Sequence, residues 1–331
     1  MHKLINLNEK IFIAGSSGMV GSAIKRNLEA FGYGNINQNG LIFSPSRKEL
    51  NLLDSAAVNE WFIKNKPTIV ILAAAKVGGI LANSNFPADF LLENLKIQTN
   101  VIESAWKTGV KRFLFLGSSC IYPKFAEQPI KEEELLRKQL EPTNESYAIA
   151  KIAGIKLCQA LRKQYNFDAI SLMPTNLYGP GDNYHSSNSH VFAALIQKFC
   201  NARKESSKKV ICWGTGKPLR EFLHVDDLGR AVVFALEKWD PNNDNSPKDE
   251  NNIPIDFLNV GTGKDISIFD LAEIIAKKVG YEGEIIWDSS KPDGTPRKLL
   301  NIEKFKSLGW HPQIELEDGI SSTIREFKLT S

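Results

Sequence analysis

Tyr147 and Lys151 stand four residues apart in Tyr147-Ala148-Ile149-Ala150-Lys151. That spacing puts a phenol and an ammonium on one face of a helix, one turn from each other. A free phenol titrates near ~10, too high for ready proton exchange at neutral pH, and a neighbouring positive charge is expected to lower it. Such a pair can hand a proton to a carbonyl oxygen. On its own the spacing is common on surface helices, and Ser118-Ser119 is what lifts it. These hydroxyls follow a strand-like run, Arg112 to Gly117, and the carboxyl edge of a parallel sheet is where such folds hold ligands. A hydroxyl there can bond the same carbonyl alongside the tyrosine.

The second chemical feature is Gly15-Ser16-Ser17-Gly18-Met19-Val20-Gly21, which follows the apolar run Lys10 to Ala14 and opens a helical pattern, Gly18 to Phe31. Glycines in a strand-to-helix turn let backbone N–H groups approach a pyrophosphate, so this loop is expected to hold a dinucleotide. Lys151 could then also hold the nicotinamide ribose. The second strand ends Ser44-Pro45-Ser46-Arg47, with no acid to bond a ribose 2′-hydroxyl and one arginine to meet a 2′-phosphate. That favours NADP(H) over NAD.

These groups need a scaffold, and the pattern supplies one. Lys10 to Ala14, Leu41 to Ser44, Thr68 to Ala75, Arg112 to Gly117 and Asp168 to Met173 read as strands. Several are continuously apolar, as parallel strands covered on both faces should be. Helical patterns lie between them, including Gly18 to Phe31, Pro87 to Lys107 and Ser146 to Tyr165. The expected fold is α/β, a doubly wound parallel Rossmann-type sheet with a smaller, discontinuous C-terminal substrate domain. The first domain covers 1–176 and also receives elements from about 214–236 and 256–260, leaving 177–331 mostly to the second. Later strands are expected near Val210 to Trp213, Asp256 to Val260 and Glu284 to Trp287. Later helices are expected near Asn188 to Cys200, Val225 to Lys238 and Ile268 to Val279. The Asn-, Asp- and Pro-rich stretch from Asp240 to Asn252 reads as a solvated, mobile loop.

Composition narrows the partners. With 41 basic and 38 acidic residues spread along 331, nothing suggests a nucleic-acid face or a membrane-binding helix. The longest apolar run, Ile69 to Ala75, is too short to cross a bilayer, and the start carries no apolar signal core. Cys120, Cys158, Cys200 and Cys212 are scattered without a pair, which fits a reducing, cytoplasmic setting. His185 and His190 lack metal-ligand spacing, so no metal is expected.

The glycine loop, the strand-end serine and the Tyr-x-x-x-Lys pair together resemble the extended short-chain dehydrogenase/reductase family. Further blocks sharpen the likeness: Ala73 to Ile80, Leu116 to Pro123, Pro142 to Glu145, Pro174 to Pro180, Ser187 to His190, Arg220 to Asp227 and Lys291 to Lys298. From Ile11 to about Trp310 the chain is similar to the family's GDP-4-keto-6-deoxy-D-mannose 3,5-epimerase/4-reductases, which form GDP-L-fucose. The resemblance implies a GDP-sugar substrate, NADP(H) and a homodimer packed through the helix of Tyr147, with Ala148, Ala150, Ala153 and Gly154 permitting close approach. It implies Cys120 as base and His190 as acid for inverting C3 and C5, and a cation to favour the Cys120 thiolate, expected from Lys151 or the cofactor. It also implies substrate-binding roles for Lys198, Trp213, Arg220 and Asp293. Leu116, Gly117, Ser118, Ser119 and His190, with Pro174, Thr175, Asn176 and Leu177 at the nicotinamide end, would line the cofactor.

One departure bears on the cofactor. The family commonly carries His-Arg inside the glycine loop, with the arginine on the 2′-phosphate, where this chain has Ser16-Ser17. Arg47 would act with less help, so use of both NADP and NAD is expected. A 4,6-dehydratase would need an Asp-Glu pair beside the strand-end serine, and Ser119-Cys120-Ile121 offers none. A simple 4-epimerase has no use for Cys120 and His190. A GDP-keto-sugar epimerase/reductase of the colitose or deoxyheptose type, and a non-catalytic NADP sensor, stay open.

Overall fold

Ile69–Leu72 is apolar on four consecutive residues, and all four are buried, because helices cover both faces of the sheet it belongs to. A computed structural model describes residues 3–185, 189–291 and 293–330 of this chain. Ser187 and Asn188 of one block quoted above, and Pro292 of another, lie outside the described residues, as does the expected helix start at Asn188.

The chain first alternates β1 (Lys10–Ala14), α1 (Met19–Ala30), β2 (Leu41–Phe43), α2 (Ser55–Asn65) and β3 (Ile69–Leu72). It continues through α3 (Ile80–Asn85), α4 (Pro87–Lys107), β4 (Arg112–Leu116), α5 (Glu145–Tyr165) and β5 (Ala169–Pro174). Then follow β6 (Asn176–Tyr178), α6 (Val191–Lys204), β7 (Lys209–Trp213), β8 (Leu219–His224), α7 (Val225–Lys238) and β9 (Phe257–Val260). Last come β10 (Asp265–Ser267), α8 (Ile268–Val279), β11 (Glu284–Asp288), β12 (Arg297–Lys298), α9 (Glu303–Ser307) and α10 (Leu316–Thr330). Local chemistry fixes several boundaries. Pro87 sits in the first turn of α4, where its missing N–H costs nothing. Asp54 caps α2 by accepting from the Ala57 amide at 3.0 Å, and Ser267 caps α8 by accepting from Asp270 at 2.9 Å.

The main sheet is parallel throughout, in the order β2-β1-β3-β4-β5-β9. Chain direction across the sheet reverses between β1 and β3, so a crevice opens there at the carboxyl ends of the strands. The main core runs through this sheet and takes in Leu228 to Trp239, Ile255 to Val260 and Leu300 to Trp310. A second core joins α6, α8 and α10 to β7 and β11, with Tyr178 stacked on Phe192 at 4.0 Å. Small sheets formed by β10, β8, β12 and β6, and by β11 and β7, make up the rest.

Glu221 ties these parts together. Its carboxylate is fully buried and accepts backbone N–H bonds from Thr262 (2.6 Å), Gly263 (2.7 Å) and Leu300 (3.0 Å). Its carbonyl accepts from Thr175 Oγ1 at 3.2 Å and Asn176 Nδ2 at 2.8 Å. Burial raises the carboxyl's pKa while the three amides oppose that shift.

Three expectations change. The third strand stops at Leu72, because Ala73 to Gly79 leave the sheet to line the cleft. The helix expected from Asn188 begins at Val191, with His190 as its N-cap. Asp240 to Asn252 is more than a solvated loop: Pro241, Ser246 and Pro247 are buried, Trp239 Nε1 donates to Ser246 Oγ at 3.2 Å, and Asp249 Oδ1 accepts from Asn251 and Ile253. The buried indole needs a partner for its N–H, and the loop supplies it.

Candidate active site

At the carboxyl edge of the main sheet a cleft of about 1150 Å³ runs from the glycine loop to Trp213. Its first end is built by backbone. Gly15 adopts φ +88°, and a Cβ there would lie 2.7 Å from the Ala74 backbone, so only glycine lets the loop pass so close to the end of β3. Gly18 caps α1 without a side-chain acceptor, and no acid stands in the first turn. The amides at this helix start are therefore available to a phosphate, and the loop fits a dinucleotide pyrophosphate. Gly15, Ser17, Gly18, Met19, Val20, Gly21 and Arg47 all line this end, and Arg47 is exposed. Ser16 does not line the cleft. Its side chain is buried against the protein, so any contact it makes with a dinucleotide would come from its backbone.

The middle of the cleft brings together residues from three elements. Leu116, Gly117, Ser118 and Ser119 continue from β4, Pro174 to Leu177 leave β5, and Tyr147 and Lys151 come from α5. Gly154 explains how α5 gets so near: a Cβ there would fall 2.5 Å from the Phe115 ring. The helix thus rests directly on β4 and holds Tyr147 over the end of that strand. Ala148 and Ala150 are fully buried within this chain, and the Ala150 carbonyl accepts from Gln98 Nε2 at 2.6 Å. With Gly154 they are used in packing α5 onto its own sheet and α4, and cannot serve as small residues facing a second copy.

Burial raises the Tyr147 pKa well above the usual phenol range; nearby Cys120 adds to this and a hydrogen bond with Ser118 opposes it. The expected lowering by Lys151 is absent. Its Nζ donates to the Leu116 carbonyl at 2.8 Å and lies 5.9 Å from the centre of the Tyr147 ring, so desolvation dominates both groups. Burial pulls Lys151 itself down to about 8. Ser118 Oγ accepts from the Cys120 amide at 3.2 Å, starting a single 3₁₀ turn that turns Cys120 into the cleft.

His190 lines the same cleft from the start of α6. His190 is exposed to the open cleft, yet the protein gathered around it desolvates the imidazole; this first, and Lys298 second, lower its pKa. A cation that the spacing did not mark stands beside Cys120: Lys298 Nζ donates to Cys120 Sγ at 3.6 Å, while Lys151 is bound to the Leu116 carbonyl. Lys298 was legible only as the tail of a sequence block, with no spacing to mark it.

The far end holds Lys198, Trp213, Arg220 and Asp293, all lining the cleft. Lys198 and Lys291 lie 5.4 and 5.7 Å from the centre of the half-exposed Trp213 ring. Lys198 donates to the Ile211 carbonyl at 2.8 Å, and burial lowers its pKa. The Asp293 carboxylate takes the Thr215 amide at 2.7 Å and the Thr215 hydroxyl at 2.8 Å, shaping the loop after β7 while lining the cleft.

Comparison with known proteins agrees with this architecture. Residues 11–250 match the model of the NAD dependent epimerase/dehydratase family. The chain is 54% identical over 314 residues to GDP-L-fucose synthase 1 of Arabidopsis thaliana, covering 95% of this chain and 91% of that protein. It is 51% identical to GDP-L-fucose synthase of Escherichia coli, covering 96% of each. Among solved structures, the GDP-mannoheptose C4 reductase of Campylobacter jejuni with NADP bound superposes with a TM-score of 0.85 at 35% identity, over 98% of this chain and 99% of that one. No helix among the described residues is long and apolar enough to cross a membrane. The chain belongs to the NAD dependent epimerase/dehydratase family, in the branch of the GDP-L-fucose synthases.

Proposed function

We propose that this chain catalyses the NADPH-dependent 3,5-epimerisation and 4-reduction of GDP-4-keto-6-deoxy-D-mannose to GDP-L-fucose. The reading is carried by the meeting of Cys120 and His190 with Ser118, Tyr147 and Lys151 in one cleft. A carbonyl reductase needs only the last three; a thiol and an imidazole beside them add the means to move carbon-bound protons.

The C4 carbonyl of the sugar acidifies the protons at C3 and C5. Cys120 removes each as a base, and the charge that gathers on the C4 oxygen is met by Ser118 and Tyr147. Burial keeps the Tyr147 phenol protonated, so it donates to that oxygen throughout. His190 returns protons from the opposite face. Its lowered pKa in the free protein is raised again by the negative diphosphate of the bound substrate. NADPH, when bound, supplies hydride to C4. Tyr147 then gives its proton to the C4 oxygen, with Lys151 holding the ribose.

Residues 1–176, with about 214–236 and 256–260 returning to them, hold the cofactor; most of 177–331 holds the sugar nucleotide through Lys198, Trp213 and Arg220. NADP preference rests on Arg47, because Ser16 and Ser17 in the glycine loop carry no charge. The assembly is a cytoplasmic homodimer through α4 and α5, whose exposed Leu92 and Ile149 would be covered. To test the reaction, GDP-4-keto-6-deoxymannose and NADPH are supplied together, and cofactor oxidation and product stereochemistry are followed. Turnover to the L-fuco product supports the reading. NADPH binding without turnover favours a sensor, and turnover only with another GDP-keto-sugar reassigns the substrate.

A further inference from the structure

Strand register brings two cations to one thiol. β12 pairs in parallel with β8, and Lys298 lies opposite Arg220. Like charges facing each other across a strand pair repel, and an anion between them relieves that repulsion. Lys298 Nζ reaches Cys120 Sγ at 3.6 Å, and Arg220 also interacts favourably with a charge on Cys120. Nearby acids are otherwise engaged: Asp293 is held by Thr215, and Glu141 pairs with Lys124 at 3.0 Å. Among the described residues no carboxylate forms an ion pair with Lys298, so the thiol is its available counter-group.

We propose that Lys298 is the positioning residue that holds Cys120 as a thiolate for proton abstraction at C3 and C5. This role rests on the epimerase reading above. In the step, the sulfur electron pair takes the proton from carbon, the C–H electron pair moves into the enolate, and an S–H bond forms. Lys298 keeps its proton throughout. The groups facing Cys120 are Lys298 from β12, Arg220 from β8 and Tyr147 from α5, with Ser118 in its own turn. Tyr147 is neutral, and a thiolate beside it keeps it so. Lys298 also adds, after desolvation, to the lowering of the His190 pKa.

The test is site-resolved alkylation of the full chain with iodoacetamide from about pH 5 to about pH 10, read by mass spectrometry at Cys120, because the thiolate is the reacting form. Natural protein, Lys298→Met and Lys298→Arg are compared, with solvent-deuterium exchange at C3 and C5 followed in parallel. In Lys298→Met the Cys120 midpoint is expected to rise by roughly one to two pH units, and neutral-pH alkylation and exchange to slow about tenfold or more. Exchange is expected to recover as pH rises, and Lys298→Arg to restore most of both. An unchanged midpoint in Lys298→Met overturns the proposal, including the case where only KM rises, which marks a lysine that merely grips the diphosphate. If the natural protein shows no exchange while the midpoint moves as expected, the epimerase reading fails and the hold of Lys298 on Cys120 stands.

Discussion

Replacing Lys151 with methionine is expected to stabilise the protein while abolishing reduction. The ammonium is buried, and its pKa falls from the ordinary 10.5 to about 8 because of that burial. At about 1.4 kcal/mol per pH unit, this is a cost of roughly 3 kcal/mol for keeping the group charged in the fold. Methionine, of similar length and uncharged, removes the cost but leaves the Leu116 carbonyl without its donor, a loss of about 1–2 kcal/mol. The net gain at neutral pH is then about 1–2 kcal/mol, or roughly 2 °C in Tm for a chain of this length. The sign with pH is fixed. Between the folded and unfolded pKa values the unfolded chain binds more protons, so the natural protein gains stability from about pH 8 to about pH 10.5, and the variant does not. The variant's advantage is greatest at and below neutrality and disappears in alkali. Thermal unfolding of both proteins without nucleotide, at about pH 7 and about pH 9.5, measures this directly. A variant less stable at neutral pH, or a gap that does not change with pH, would refute the reasoning.

Other substitutions separate the roles. Cys120→Ser is expected to stop deuterium uptake at C3 and C5 while leaving NADPH binding intact by fluorescence titration; unchanged uptake rejects Cys120 as the base. Arg47→Ala is expected to lower kcat/KM for NADPH by about tenfold or more while sparing NADH, because a 2′-phosphate loses its forked donor; equal losses for both cofactors count against the NADP preference. Gly154→Leu drives a side chain into the Phe115 ring and is expected to cost about 1–3 kcal/mol in urea unfolding, with kcat falling as Tyr147 shifts. A variant with full stability and activity would mean that α5 does not depend on that contact.

The strands of the main sheet were legible because parallel strands covered on both faces must be apolar without interruption, as in Ile69–Leu72 and Arg112–Leu116, where even Arg112 is buried with Asp168 as partner. The helix Pro87–Lys107 was legible at both ends from its proline and its apolar rhythm. β8 was not. Leu219–His224 carries Arg220 and Glu221 at its centre, and Glu221 is tolerated in the interior only because three distant amides satisfy it. Two-residue β12 has no pattern to read, so the contact between Lys298 and Cys120, made by residues 178 apart, could not be inferred from spacing. Tyr147, Lys151 and Ser118 declared themselves by type and context, whereas Cys120 and His190 were legible only through resemblance. The inward turn of Ser16 and the use of Asp293 to shape a loop are outcomes of packing that residue type does not encode.

Glu221 also sets how far the protein can be treated as separable parts. One buried side chain takes amides from the turn after β9 and from the segment after β12, while its own carbonyl anchors Thr175 and Asn176 as the chain leaves β5. A chimera that imported the smaller body from a relative would keep the recipient's β8 and the turn after β9 but bring a new segment after β12, and any mismatch there would leave the buried Glu221 carboxylate short of a donor. Recombination across this seam is therefore expected to cost stability, read as a lower Tm of the chimera.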